Sequence, residues 1–98
     1  MTTDDSEFRD DVRRLHDHLA ASQERPVERT ASRWIGEAEA VAADLVGDGA
    51  ERDVLRNRLS HVEELLGHVE GTDDSAADDH VAEAKRIAAD LLDRLDAE

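Results

Sequence analysis

Residues 26–47 of the chain read PVERTASRWIGEAEAVAADLVG, and this stretch decides the predicted fold. It contains the only proline of the sequence, Pro26, and the only tryptophan, Trp34. Its apolar residues recur every three or four positions, which is the spacing of a helix face. They are Val27, Ala31, Trp34, Ile35, Ala38, Val41, Ala42, Leu45 and Val46. So broad a face predicts a helix that contacts two neighbours, with Trp34 as the main anchor of the core.

Three further segments carry narrower apolar stripes with the same helical spacing. The stripes are Phe8, Val12, Leu15 and Leu19; Leu55, Leu59, Val62, Leu66 and Val69; and Ala77, Val81, Ala84, Ala88, Leu91, Leu92 and Leu95. The four predicted helices span residues 6–22, 26–46, 50–70 and 75–97.

The connectors between these helices are short, so consecutive helices are expected to run antiparallel. The sequence therefore predicts an all-α protein, an antiparallel up-down four-helix bundle formed by residues 1–98 as a single domain. The alternative is a three-helix core on which the first helix is docked, or swapped with another subunit.

Residues at the predicted helix ends agree with these bounds. Pro26 suits the first position of a helix, where its missing N–H would have no partner in any case. Asp48 and Glu51 form a potential capping pair before the third helix, and Ser75 and Asp78 form another before the fourth.

The composition is strongly acidic, since 26 Asp and Glu residues stand against 12 Lys and Arg residues, for a net charge of −14. Acidic residues occur on all four predicted helices, which favours adaptation of the whole surface to salt over one patch for a basic partner. Concentrated salt screens the mutual repulsion of such a surface.

In composition and length, the chain resembles the small uncharacterised acidic helical proteins of haloarchaea. That resemblance implies a halophilic protein and assigns no activity or site residue.

Several functional classes are not expected. Arginine is nowhere clustered without acid beside it, so direct nucleic-acid binding is disfavoured. The sequence has no cysteine and therefore no disulfide or thiolate site. No signal peptide or membrane-spanning run is present, which predicts a cytoplasmic protein. No phosphate loop or nucleophile motif occurs, so we predict a protein that is not an enzyme and has no cofactor.

Two groups of residues are candidates for metal ligands. The cluster at the start of the last predicted helix could hold a hydrated cation, but negative charge that suits a helix N-terminus is the favoured interpretation; it comprises Asp73, Asp74, Asp78, Asp79 and His80. The second group lies on the third predicted helix. His61, Glu64 and His68 could lie on one helix, but diiron bundles repeat Glu-x-x-His motifs on two helices and this chain does not. Ordinary helix surface is therefore the favoured interpretation, and no metal site is predicted. His16 and His18 are two residues apart and point in different directions on a helix, so we expect them at the boundary of the core.

A stripe of small residues lies opposite Trp34 on the second predicted helix. It comprises Ser32, Gly36, Ala40, Ala43 and Gly47. Small side chains let another helix approach closely, so the stripe predicts a helix contact within the fold or across a homodimer. The sequence thus favours a helical interaction module that binds a protein partner or itself. The alternative function is a metal- or small-ligand-binding bundle.

The dependence on salt is directly testable. If the acidic surface requires screening, the helical circular dichroism signal should fall as KCl is withdrawn, because unscreened carboxylates repel one another. Full helicity in low-salt buffer would contradict the halophilic interpretation.

Overall fold

A computed structural model describes residues 3–47 and 51–97 of the chain. Four helices occupy this part of the chain: α1 (Thr3–Gln23), α2 (Arg29–Gly47), α3 (Arg52–Gly67) and α4 (Ser75–Asp96). No strand occurs among the described residues. The helices form a bundle about 42 Å long and 20–21 Å across, and the predicted all-α four-helix architecture is confirmed.

The helices pack as a closed ring. Each helix contacts the next one along the chain, and α1 also packs against α4. The first helix is therefore an integral member of the bundle within one chain, and the alternative of a three-helix core is not observed.

The buried core is aliphatic and follows the predicted stripes closely. Its residues are Val12, Leu15, Leu19, Ala31, Ile35, Ala38, Ala42, Leu45, Leu59, Val62, Leu65, Leu66, Val69, Val81, Ala84, Ile87, Ala88, Leu91 and Leu95. Alanine provides much of the buried face of α2, so the neighbouring helices can lie close to it. The resulting core is thin, because an alanine buries little apolar area.

Trp34 does not anchor this core as the sequence predicted. It is only partly buried and packs against the edge of the core, where its ring stacks on His68 with the ring centroids 4.2 Å apart. The adjacent Ile35 is fully buried instead. One position along a helix turns a side chain by about 100°, and that step moves the larger ring out to the α2–α3 boundary.

The start of α2 differs from the prediction, because Pro26 lies three residues before the helix. The N-cap role falls to Glu28, whose carboxylate accepts hydrogen bonds from the backbone N–H groups of Thr30 and Ala31 at 2.9 and 3.0 Å. These bonds stabilise the ionised carboxylate and lower the pKa of Glu28. Capping by a long side chain was not evident from the sequence, since Ser, Thr, Asp and Asn are the usual N-caps.

The other helix ends also shift by a few residues. The helix α3 begins after Glu51, whose side chain makes no capping hydrogen bond, and it ends at Gly67 rather than at residue 70. The predicted cap Asp48 lies outside the described residues. At the start of α4, the N-cap is Asp74 rather than Ser75, since the Asp74 carboxylate accepts from the backbone N–H of Ala77.

The α1–α2 and α3–α4 connectors meet at one end of the bundle. The backbone N–H of Glu28 donates to the carbonyl oxygen of Thr72 at 2.9 Å, and Arg25 pairs with Asp74 at 3.0 Å. Thr72 is fully buried, and its hydroxyl and backbone N–H both donate to the Asp78 carboxylate. These contacts join the two helical hairpins at this end, as an up-down topology requires.

Replacing Ile35 should reveal its role as the α2 anchor. Ile35→Ala should lower the free energy of unfolding by about 2–5 kcal/mol, because it leaves a cavity at a fully buried site. Val54→Ala is the matched control, since Val54 is 40% exposed and should change stability by no more than about 0.5 kcal/mol. Urea unfolding in molar KCl measures the free energy of unfolding of both variants. Equal losses of stability in the two variants would contradict the role of Ile35 as the α2 anchor.

Candidate functional site

The small-residue stripe of α2 is divided between two environments. Its first half faces α1, where the Ser32 hydroxyl donates to Gln23 Oε1 at 3.0 Å. A side-chain carbon added at Gly36 would lie 2.9 Å from Gln23 Nε2, closer than normal contact. The small residues at positions 32 and 36 therefore permit close packing inside the chain.

The second half of the stripe faces solvent. Ala40 and Ala43 are both exposed, and Gly47 is the last residue of α2. We call the exposed part, Ala40 and Ala43, the α2 outer surface. Among the side chains that the structure describes, only this part of the predicted stripe can be contacted by another molecule without displacing a contact within the bundle.

The carboxylates around the α2 outer surface already have basic neighbours. Glu39 Oε2 lies 3.6 Å from His16 Nε2. Asp44 pairs with Arg58 of α3 at 3.3 Å, and Glu37 lies 4.0 Å from Arg33. The local charge here is consequently less negative than the net charge of −14 suggests.

The candidate metal ligands of α3 do not form a site. His61 and Glu64 are exposed, and His68, which follows the end of α3, is stacked on Trp34. Within residues 3–47 and 51–97, no group of three His, Asp or Glu side chains is arranged to hold a metal ion.

A pair of histidines that the sequence did not predict lies between α1 and α4. The Nδ1 atoms of His18 and His80 are 3.0 Å apart, and the two partly buried rings are tilted by 44° with centroids 5.2 Å apart. The expected boundary position of His18 is observed. Its partner is 62 residues away in sequence, so only the pairing of α1 with α4 could have indicated the contact.

The surroundings of His18 favour its neutral imidazole. Burial lowers the pKa of His18 below its usual 6.5, and the charges of His80 and Arg14 act in the same direction. The carboxylates of Glu83 and Asp17 oppose the shift without reversing it. A hydrogen bond between the two Nδ1 atoms requires one ring to donate its N–H and the other to accept it.

The described part of this acidic chain is thus a closed four-helix bundle with two exposed alanines on α2 and a histidine pair between α1 and α4. Residues 11–98 match the family described as a domain of unknown function, DUF8152, and the chain belongs to that family. No curated protein and no solved structure matches the chain. In the part of the chain that the structure describes, none of the helices has the length and apolar character needed to cross a membrane.

The histidine pair predicts a specific dependence of stability on pH. The folded-state pKa of His18 lies below its unfolded value of about 6.5. The contribution of neutral His18 to the free energy of unfolding is therefore present above that pH and is lost as the pH falls. The carboxylates with lowered pKa values, such as Glu28 and Asp74, change their contributions only below their ordinary values of 4.5 and 3.8. Acidification from about pH 8 to 5 therefore isolates the histidines.

His18→Gln should flatten this dependence, because an amide cannot gain a proton in that range. Urea unfolding at several pH values in molar KCl provides the measurement, with His61→Gln as the control at an exposed histidine. The control should follow the wild type. A His18→Gln profile as steep as the wild-type profile would contradict the assignment.

Proposed function

We propose that the protein is a non-enzymatic helical interaction module that forms a homodimer through the α2 outer surface. In this proposal it works in the cytoplasm at high salt, and its partner is a second copy of the chain. The observation that carries the proposal is the exposure of Ala40 and Ala43 on the helix that otherwise provides the broadest apolar face.

The size of these side chains supports a helix-to-helix contact. Two helices separated by small residues can approach to the short end of the usual 8–10 Å range of interaxial distances. In the first half of the same stripe, Ser32 and Gly36 contact the Gln23 side chain at the end of α1. A second α2 helix crossing at Ala40 and Ala43 would extend this mode of packing across a two-fold axis.

Local charge also supports the proposal. Two copies of a chain with a net charge of −14 repel each other strongly at low salt. The contact should therefore form where carboxylates are already balanced, as Asp44 is by Arg58 and Glu37 is by Arg33. High salt weakens the remaining repulsion, so association should increase with KCl concentration.

The alternative function, metal or small-ligand binding through His61, Glu64 and His68, gains no support from their placement. The first two side chains are exposed, and the ring of His68 is occupied by its stack on Trp34.

Charge introduced on the α2 outer surface should separate the subunits. The double variant Ala40→Glu with Ala43→Glu would place carboxylates from both copies at the contact, and their mutual repulsion disfavours association. Size-exclusion chromatography with multi-angle light scattering in molar KCl should report twice the chain mass for the wild type and one chain mass for the variant.

Ala82→Glu is the matched control, because Ala82 is an exposed alanine on α4. It should leave the dimer intact while adding the same kind of charge. A wild-type protein that is monomeric at all accessible concentrations would contradict the proposal, and so would a double variant that stays dimeric.

A further inference from the structure

The histidine pair between α1 and α4 has a geometry close to that of a metal chelate. His18 and His80 come from opposite ends of the sequence, yet their Nδ1 atoms are 3.0 Å apart. Two imidazole nitrogens on a tetrahedral Zn²⁺ ion are about 3.3 Å apart, since each Zn–N bond is about 2.0–2.1 Å. A change of a few tenths of an ångström, with both rings turned so that their lone pairs converge, converts one arrangement into the other.

The bundle holds both histidines in place before any ion binds. His18 is flanked along α1 by Leu15 and Leu19, and His80 is flanked along α4 by Ala77 and Val81, all four of which are buried. The backbones therefore cannot separate without exposing the core. The two rings need only rotate about a histidine torsion that is soft, and one ring must move its proton from Nδ1 to Nε2.

The chemistry of the pair selects the class of ion. Neutral imidazole is a good ligand for Zn²⁺, Ni²⁺ and Cu²⁺ and a poor one for Mg²⁺ and Ca²⁺, which prefer oxygen. Both Nδ1 atoms present lone pairs to an ion once the donating ring carries its proton on Nε2, so each ring binds as a neutral imidazole.

Glu83 is the nearest candidate for a third ligand. It lies three residues after His80 on α4 and therefore on the same side of the helix, and its charge acts on the ring of His18. Its carboxylate now accepts a hydrogen bond from Arg86 at 2.6 Å. Glu83 must break this hydrogen bond before it can bind an ion. The described residues accordingly contain no preformed group of three metal ligands.

We propose that His18 and His80 form a two-histidine site for a divalent transition-metal ion such as Zn²⁺, which Glu83 completes on binding. The bound ion joins the first and last helices of the bundle and so stabilises the closed ring. The site is independent of the α2 outer surface, and it uses none of His61, Glu64 and His68.

Calorimetric titration of the full chain with ZnCl₂ in molar KCl near neutral pH tests the site. The wild type should bind one ion per chain, and its melting temperature should rise with Zn²⁺ because the ion binds only the folded state. His18→Gln and His80→Gln should each weaken binding by at least about tenfold, because the second ligand of a chelate binds at high effective concentration. Both variants should also lose the rise in melting temperature.

Two controls separate this site from the acidic surface. His61→Gln removes an exposed histidine and should bind Zn²⁺ as the wild type does. Titration with MgCl₂ tests for binding to carboxylates. Any Mg²⁺ binding by the wild type should be retained in both His18→Gln and His80→Gln. Absence of Zn²⁺ binding by the wild type would overturn the proposal, as would equal Zn²⁺ binding by the wild type and both variants.

Nuclear magnetic resonance of the wild type keeps the test decisive if either variant loses helicity. Zn²⁺ should shift the ring nitrogen signals of His18 and His80 and leave those of His61 unchanged. Equal shifts at all histidines, or no shift at His18 and His80, would overturn the proposal.

Discussion

The packing of α1 against α4 is the contact on which the rest of the structure depends. It joins the two ends of the chain and closes the ring of helices, so that the buried residues Leu15 and Leu19 of α1 reach the same core as Leu91 of α4. Without it, three helices would leave one side of an already thin core open to water. Burial of aliphatic area is the main favourable term in folding, and this chain has little of it to lose.

Polar side chains along the α1–α4 boundary fix the alignment of the two helices. Asp11 binds Arg94 across the boundary, and the Arg94 guanidinium also lies 5.7 Å from the centre of the Phe8 ring. Burial alone would raise the pKa of Asp11, but the hydrogen bonds from Arg94 and Arg14 outweigh it and the pKa is lowered. At the other end of the boundary, His18 and His80 meet. Two polar contacts separated along one boundary allow a single register of α1 on α4.

The regular part of this architecture could be predicted from the sequence, because it depends on periodicity alone. Residues such as Leu59 and Val62 are buried as their spacing indicates, and short connectors require an antiparallel arrangement. Features that depend on contacts between distant residues could not be predicted. Capping by Glu28 depends on the orientation of one flexible carboxylate, and the His18–His80 contact depends on the register of helices at opposite ends of the chain. Trp34 shows a third limit: periodicity placed it on the apolar face but could not distinguish the centre of that face from its edge.

Hydrogen exchange of the full chain in molar KCl, followed by mass spectrometry, tests the closure of the bundle by α1 most directly. If α1 is an integral member of the ring, the amides around Leu15 should exchange as slowly as those around Val62 in α3, since both open only when the whole domain unfolds. Dilution should affect the protection of α1 and of α3 alike, because the α1–α4 contact lies within one chain. Rapid exchange throughout α1 while α2, α3 and α4 stay protected would contradict this account, as would loss of protection on dilution in α1 alone.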